Sequence, residues 1–96
     1  MSECVMDAAL DPERGRAGER VRIAVRITPE DVVHSVRLAV VGYPFEEALY
    51  SRGGEWVAEA TVPYEAGPGE YPLEVYALDA GGRRCGSGRV TFTVLA

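Results

Sequence analysis

The sequence predicts an all-β domain, built as a seven-stranded antiparallel sandwich of two sheets. Apolar and polar residues alternate with a period of two through most of the chain, which is the pattern of half-buried strands. Turns rich in Gly and Pro interrupt this alternation about every ten residues, a spacing typical of sandwiches. Residues 1–96 suffice for one domain and are too few for two, so we expect a single domain.

Each predicted strand presents one apolar face. Alternation at Met6, Ala8 and Leu10 predicts a first strand, and Asp11-Pro12 ends it. The clearest strand covers residues 21–28, because every second residue there is a branched aliphatic. The remaining strands are predicted over residues 35–41, 46–51, 55–62 and 71–79 and over the stretch that contains Val90, Phe92 and Val94.

Short motifs between and within the strands resemble those of a known family. These motifs are Gly18-Glu19, Trp56-Val57-Ala58, Gly69-Glu70-Tyr71 and Asp79-Ala80-Gly81-Gly82. With them, the stretch from Ala17 onward resembles a bacterial immunoglobulin-like or fibronectin-III-like module. The resemblance implies an immunoglobulin-like sandwich and a corner tyrosine at Tyr71, whose hydroxyl bonds to the backbone of the preceding loop. It also implies an extracytoplasmic location, secreted or at the cell surface, within a longer chain, although no signal peptide opens this sequence.

Charge and composition exclude several functions. Fifteen acidic residues against ten basic ones give a net charge of −5, so we expect no nucleic-acid binding, which requires a basic face. No apolar run reaches the ~18 residues of a membrane helix, so membrane insertion is not expected. The sequence shows no phosphate-binding glycine pattern, no metal-ligand spacing and no nucleophile signature. We therefore expect no cofactor, no metal, no small-molecule substrate and no catalytic residues.

His34 is the only histidine in the sequence, so few combinations of a general base with a nucleophile are available for catalysis. Its neighbour Ser35 would point to the opposite face of a strand, so the two side chains cannot form a nucleophile–base pair. Cys4, Met6 and His34 offer sulfur and imidazole ligands that suit copper, but their spacing matches no metal motif. A solvent-exposed histidine is the better interpretation.

Cys4 and Cys85 leave two alternatives open. In sandwiches of this kind the first strand often runs parallel to the last, which would bring the two cysteines to neighbouring strand ends. A disulfide between them would close a loop of about 80 residues and stabilise the fold by roughly 4 kcal/mol. However, Cys85 shares the parity of the outward residues Arg89 and Thr91, unless a β-bulge lies within residues 86–88. A Cys4–Cys85 disulfide and two independent thiols both stay open.

Outward residues on neighbouring strands indicate a contact surface. The third, sixth and seventh strands are expected to form one sheet, whose outer face combines Val41, Tyr43, Tyr76 and Leu78. Exposed apolar clusters mark contacts, and Tyr is enriched at protein interfaces. We interpret these four residues as a binding surface for a neighbouring domain, a second copy of the chain or a protein partner. Alternatively, a strand over residues 46–51 covers part of it, or the exposure is ordinary.

The predicted function is that of a non-catalytic module. It would serve as a structural spacer or protein-interaction domain within a larger secreted or cell-surface bacterial protein. The competing hypothesis is a carbohydrate-binding accessory module of a polysaccharide-active enzyme, with Trp56, Tyr50 or Tyr64 in a groove. Trp56 shares its face with Ala58 and Val62, and this parity favours packing in the core.

Overall fold

The computed structural model describes residues 4–28 and 30–96, and its strands form one continuous sheet. The strands are β1 (Val5–Asp11), β2 (Arg14–Gly15), β3 (Arg20–Thr28), β4 (Ser35–Val40), β5 (Glu46–Arg52), β6 (Glu55–Thr61), β7 (Gly69–Leu78) and β8 (Arg84–Val94). A 3₁₀ turn, Glu30–Val32, lies between β3 and β4. The order across the sheet is β1-β3-β6-β5-β4-β7-β8-β2, and the ladders are antiparallel except for that of β2 with β8.

β5 is the strand that makes the sheet continuous. Residues 46–49 pair with β4, and residues 50–52 pair with β6. The strand therefore passes from one layer of the structure to the other and joins the layers by backbone hydrogen bonds. For this reason the predicted seven-stranded antiparallel sandwich of two sheets, with its immunoglobulin-like architecture, is wrong. The described residues form a single mixed sheet of eight strands that curls into a nearly closed barrel, and the all-β prediction is confirmed.

β1 and β8 meet where the curl closes. They run in the same direction, because Cys4 lies beside Cys85 and Met6 lies beside Gly88. The backbone N–H of Cys4 donates to the carbonyl oxygen of Cys85 at 2.7 Å. Farther along, a cavity of about 210 Å³ lies between the two strands. We call this junction of β1 and β8 the seam. It is hydrogen-bonded near the start of β1, and a cavity separates the two strands farther along.

The core contains residues that the alternation of the sequence predicts to face inward. The fully buried branched side chains are Ile23, Val25, Val36, Leu38 and Val75. Each such burial contributes roughly 1.5–3 kcal/mol. Val57 departs from the pattern: it has outward parity but is 3% exposed. The register explains its burial, since it places Val57 between Ala24 of β3 and Tyr50 of β5.

A β-bulge in β8 accounts for the orientation of Cys85. Ala77 of β7 pairs with Gly86, whereas Leu78 pairs with Arg84, so Cys85 is the extra residue. One extra residue shifts the alternation and turns a side chain to the other face. Cys85 consequently faces the core and is 8% exposed. The bulge lies immediately before the segment in which the sequence allowed for one.

Gly86 and Gly88 provide a matched test of the seam. A Cβ on Gly86 would lie 2.7 Å from the carbonyl oxygen of Cys4, whereas a Cβ on Gly88 would lie 3.8 Å from Met6 Cβ, an ordinary contact. We expect Gly86→Ala to lower the free energy of unfolding by about 1–3 kcal/mol and Gly88→Ala to change it by no more than about 0.5 kcal/mol. Urea denaturation measures both. Equal losses would contradict the close approach of β1 to β8.

Candidate functional site

Tyr76 lies at the centre of a polar network on the outer face of the barrel. Its hydroxyl donates to Glu46 Oε1 at 2.7 Å, and the guanidinium of Arg84 lies over its ring, 4.2 Å from the centroid. Arg37 Nη1 donates to the same Glu46 oxygen at 3.1 Å, and Arg84 forms an ion pair with Glu74 at 3.6 Å. The outer-face network thus links side chains of β4, β5, β7 and β8.

This network shifts the pKa of two of its groups. The hydrogen bond from Tyr76 is the main cause that holds the pKa of Glu46 below its usual range, and Arg37 acts in the same direction. The same bond raises the pKa of Tyr76, because the neutral phenol is the donor and a carboxylate accepts from it. The Tyr76 side chain is therefore held between an arginine and a glutamate, and the residue is half-buried.

The four predicted contact residues fall in two places. Val41 and Tyr43 follow the end of β4, whereas Tyr76 and Leu78 lie at the end of β7. Because β4 and β7 are antiparallel, their ends lie at opposite ends of the barrel. Val41 and Tyr43 are 37% and 59% exposed, and the other two are half-buried. The contact surface stays a prediction, and its two halves are separate regions.

Tyr43 lies at an end of the barrel where the sheet encloses an apolar cavity. The cavity has a volume of about 400 Å³ and opens to solvent. Leu38, Leu73 and Phe92 line its inner part, and all three belong to the buried core. Among the described residues of its lining, Glu65 alone is charged. We call this end, with the cavity and its rim, the open end.

A tight turn after β4 places Tyr43 and Phe45 at the rim. Gly42 has a φ of +88°, a conformation that residues with a Cβ avoid. The N–H of Tyr43 donates to the carbonyl oxygen of Val40 at 3.1 Å, and the N–H of Val40 donates to that of Phe45 at 3.3 Å. Both aromatic residues line the cavity while remaining exposed. Phe45 was not among the predicted contact residues.

Tyr71 contacts both the rim residue Tyr43 and the loop that precedes β7. Its hydroxyl donates to the carbonyl oxygen of Gly67 at 2.7 Å, across the loop that precedes β7. Its ring packs against Tyr43 with the centroids 5.8 Å apart and the planes tilted by 47°. Tilted aromatic pairs contribute roughly 0.5–1.5 kcal/mol. The hydrogen bond expected of a corner tyrosine is confirmed, although the two-sheet fold that suggested it is not.

Cys4 and Cys85 lie side by side at the opposite end. Both are free thiols in this structure. Burial is the main cause that raises the pKa of the Cys4 thiol to about 11, and the neighbouring Cys85 side chain acts in the same direction. The structure thus brings together the two cysteines whose pairing the sequence left open. A disulfide between them stays a prediction.

The other residues singled out in the sequence are dispersed. His34 is exposed, and its backbone N–H donates to the carbonyl oxygen of Leu78 at 2.8 Å. Trp56 is half-buried and packs against the core, whereas Tyr50 and Tyr64 are 54% and 81% exposed.

Within residues 4–28 and 30–96, no three His, Cys, Asp or Glu side chains are grouped to hold a metal ion. No helix in that part of the chain is long and apolar enough to cross a bilayer.

The barrel has a counterpart among solved structures. It is similar to the sporulation control protein Spo0M from Bacillus subtilis, with a TM-score of 0.69 and 15% sequence identity. The alignment covers 100% of this chain and 51% of that one, so the chain spans about half the length of the Spo0M structure. No protein-family model and no curated protein matches the sequence.

At 15% identity the likeness shows the fold alone. It gives no support to the expected immunoglobulin-like or fibronectin-III-like family, and the architecture expected from that family is overturned by the single curled sheet. The expected extracellular, bacterial setting receives no support from these comparisons either.

The bond between Tyr76 and Glu46 has a consequence for alkaline titration. Because the pKa of Tyr76 is raised in the folded chain, the bond's contribution to stability is complete below the pKa of an unfolded tyrosine, about 10. It is lost as the pH rises through the folded pKa. We expect Glu46→Gln to lower the pKa of Tyr76, since the amide lacks the charge that favours the neutral phenol. Carbon-13 NMR of the tyrosine rings measures this pKa, with Tyr76→Phe assigning the signal, and an unchanged value would show that the bond is absent.

Cys4 and Cys85 are expected to form an intramolecular disulfide on treatment with oxidised glutathione. Glutathione disulfide accepts two electrons and two protons and leaves as two thiols, so the chain loses two hydrogen atoms. Because the thiolate attacks and the pKa of Cys4 is about 11, the rate should rise about tenfold per pH unit below pH 8. Intact mass before and after reduction measures the bond, and urea denaturation should show a gain of roughly 4 kcal/mol.

The single variants Cys4→Ser and Cys85→Ser are the controls for this bond. Each should accept glutathione as a mixed disulfide and lose no hydrogen internally, because the second thiol is absent. A wild-type chain that yields mixed adducts alone would contradict the adjacency of the two thiols.

Proposed function

We propose that this chain is a non-catalytic interaction module and that the open end of its barrel is the contact surface for a partner protein. The gathering of exposed apolar side chains around the cavity carries the proposal. Tyr43 and Phe45, 59% and 38% exposed, both line the cavity, and Val41 precedes them in the same turn. Scattered apolar exposure is ordinary, but a cluster on the rim of an apolar cavity is typical of an interaction site.

The charge around the rim favours a basic partner. Residues 41–47 and 62–70 contribute Tyr43, Phe45 and Glu65 to the cavity lining. These two segments contain four glutamates and no basic residue, and one of the four, Glu46, is paired with Arg37 of β4. The net charge of the chain is −5, so two copies that approach through this end repel one another. A basic segment of another protein is therefore favoured over a second copy.

The likeness to Spo0M fits the role of a module. The aligned part is about half of that protein's chain and is therefore joined to further sequence there. The same contact at the open end would serve as a spacer junction if the partner is a neighbouring domain of a longer chain.

Selection from a random peptide library displayed on phage tests the proposal. We expect the chain to enrich peptides that combine a large apolar residue with Arg or Lys. Fluorescence polarisation should show these peptides binding Tyr43→Glu at least about tenfold more weakly than wild type, because the variant places a charge at an apolar contact. Tyr50→Glu is the matched control, since Tyr50 is 54% exposed and lies outside the cavity lining.

Two results would contradict this function. Enriched peptides that bind Tyr43→Glu as tightly as wild type would place the contact elsewhere. Failure to enrich any peptide over an unrelated β-sheet protein would show that the open end does not bind protein segments.

A further inference from the structure

The cavity at the open end has the size of a ligand pocket. Its volume of about 400 Å³ exceeds the ~150 Å³ of a cavity that accommodates benzene and falls within the ~300–1,000 Å³ of ligand pockets. Leu38, Leu73 and Phe92 line it and are 2%, 8% and 6% exposed. A group that enters the cavity therefore contacts the core of the barrel itself.

The inner walls suit an apolar group and no polar one. The Tyr71 hydroxyl is already bonded to Gly67, and in the described part of the chain no buried side-chain nitrogen or oxygen lacks a partner. A sugar or nucleotide placed here would lose its hydration without gaining hydrogen bonds. An alkyl or aryl group loses no hydrogen bond on entry and removes apolar wall from water.

Glu65 sets the preferred charge of the ligand. It is exposed in the loop between β6 and β7, and no arginine occurs among the described residues of the lining. A carboxylate at the rim attracts a cation and repels an anion. A fatty-acid carboxylate would therefore find no cationic partner there, whereas an ammonium or guanidinium group would pair with Glu65.

We infer that the cavity is a binding site for an alkyl or aryl group attached to a positive charge. A protein segment with a large apolar side chain beside Lys or Arg presents this chemistry, and so does a free alkylamine. The inference rests on the proposed function in assigning the open end to binding. It adds the position of the anchor, inside the barrel, and the role of Glu65 as the partner of the cation.

Three compounds with the same eight-carbon chain test the inference: octylammonium, octanol and octanoate. Each is titrated into the isotope-labelled chain and followed by proton–nitrogen NMR. We expect saturable shifts at the amides of Leu73, Phe92 and Val94, which line the cavity. Octylammonium should bind roughly threefold to fivefold more tightly than octanol, and octanoate more weakly than octanol, as expected for a charge pair at an exposed rim.

Two variants separate the charge from the cavity. Glu65→Gln keeps the size of the side chain, so octylammonium affinity should fall to that of octanol while octanol binding stays unchanged. Ala60→Phe places a ring in the cavity that Ala60 lines and should remove binding of all three compounds. Ala48→Phe adds the same ring at an exposed position outside the lining and should bind like wild type. If Ala60→Phe does not fold, Glu65→Gln still decides the role of the charge.

Several results would overturn the inference. Octanoate as the tightest ligand, equal affinities for all three compounds, or shifts confined to residues outside the cavity would each do so. Octylammonium binding without peptide enrichment retains the pocket with a free amine as its ligand and rejects the proposed function. Enriched peptides that depend on Tyr43, without octylammonium binding, retain the proposed function and reject the pocket.

Discussion

The division of β5 between two partners is the constraint on which the rest of the structure depends. One short strand supplies backbone hydrogen bonds first to β4 and then to β6. Strand edges with unpaired backbone groups are a liability, and this arrangement covers one edge of each layer with a single segment. Joining the layers on this side draws the sheet into a curl. The curl brings β1 to β8 on the other side and leaves the cavity at the open end.

Alternation in the sequence predicted the inside and outside of most strands, because the period of a strand is a local property. Ile23, Leu38 and Val75 lie in the core as expected. The pairing of strand edges could not be predicted in this way, because the backbone groups that form it are the same in every residue. Residues 46–52 have the same pattern whether they extend one sheet or bridge two layers. Val57 shows the cost of this ambiguity, since its burial depends on the strand that lies beside it.

The candidate site was partly visible in the sequence. Val41 and Tyr43 belong to the open end, but Phe45 was missed because parity has no meaning in the turn that contains it. The feature that could have identified Phe45 is a large aromatic residue in a segment with Gly and Pro, because such a segment does not form a strand that could bury the side chain. The outer-face network was also missed, because it needs the lateral distance between β5 and β7, which alternation does not encode. A cavity is the space that side-chain packing leaves empty, so no single residue of the sequence predicts it.

The seam has a consequence for the order in which the barrel assembles. It joins Cys4 to Cys85, residues far apart along the chain, so this contact has one of the largest sequence separations in the fold. Contacts of this kind form slowly, because a long loop must be ordered before they stabilise anything. During synthesis on a ribosome, β1 and β3 emerge well before β8. The backbone groups on the free side of β1 therefore stay unpaired until β8 has emerged.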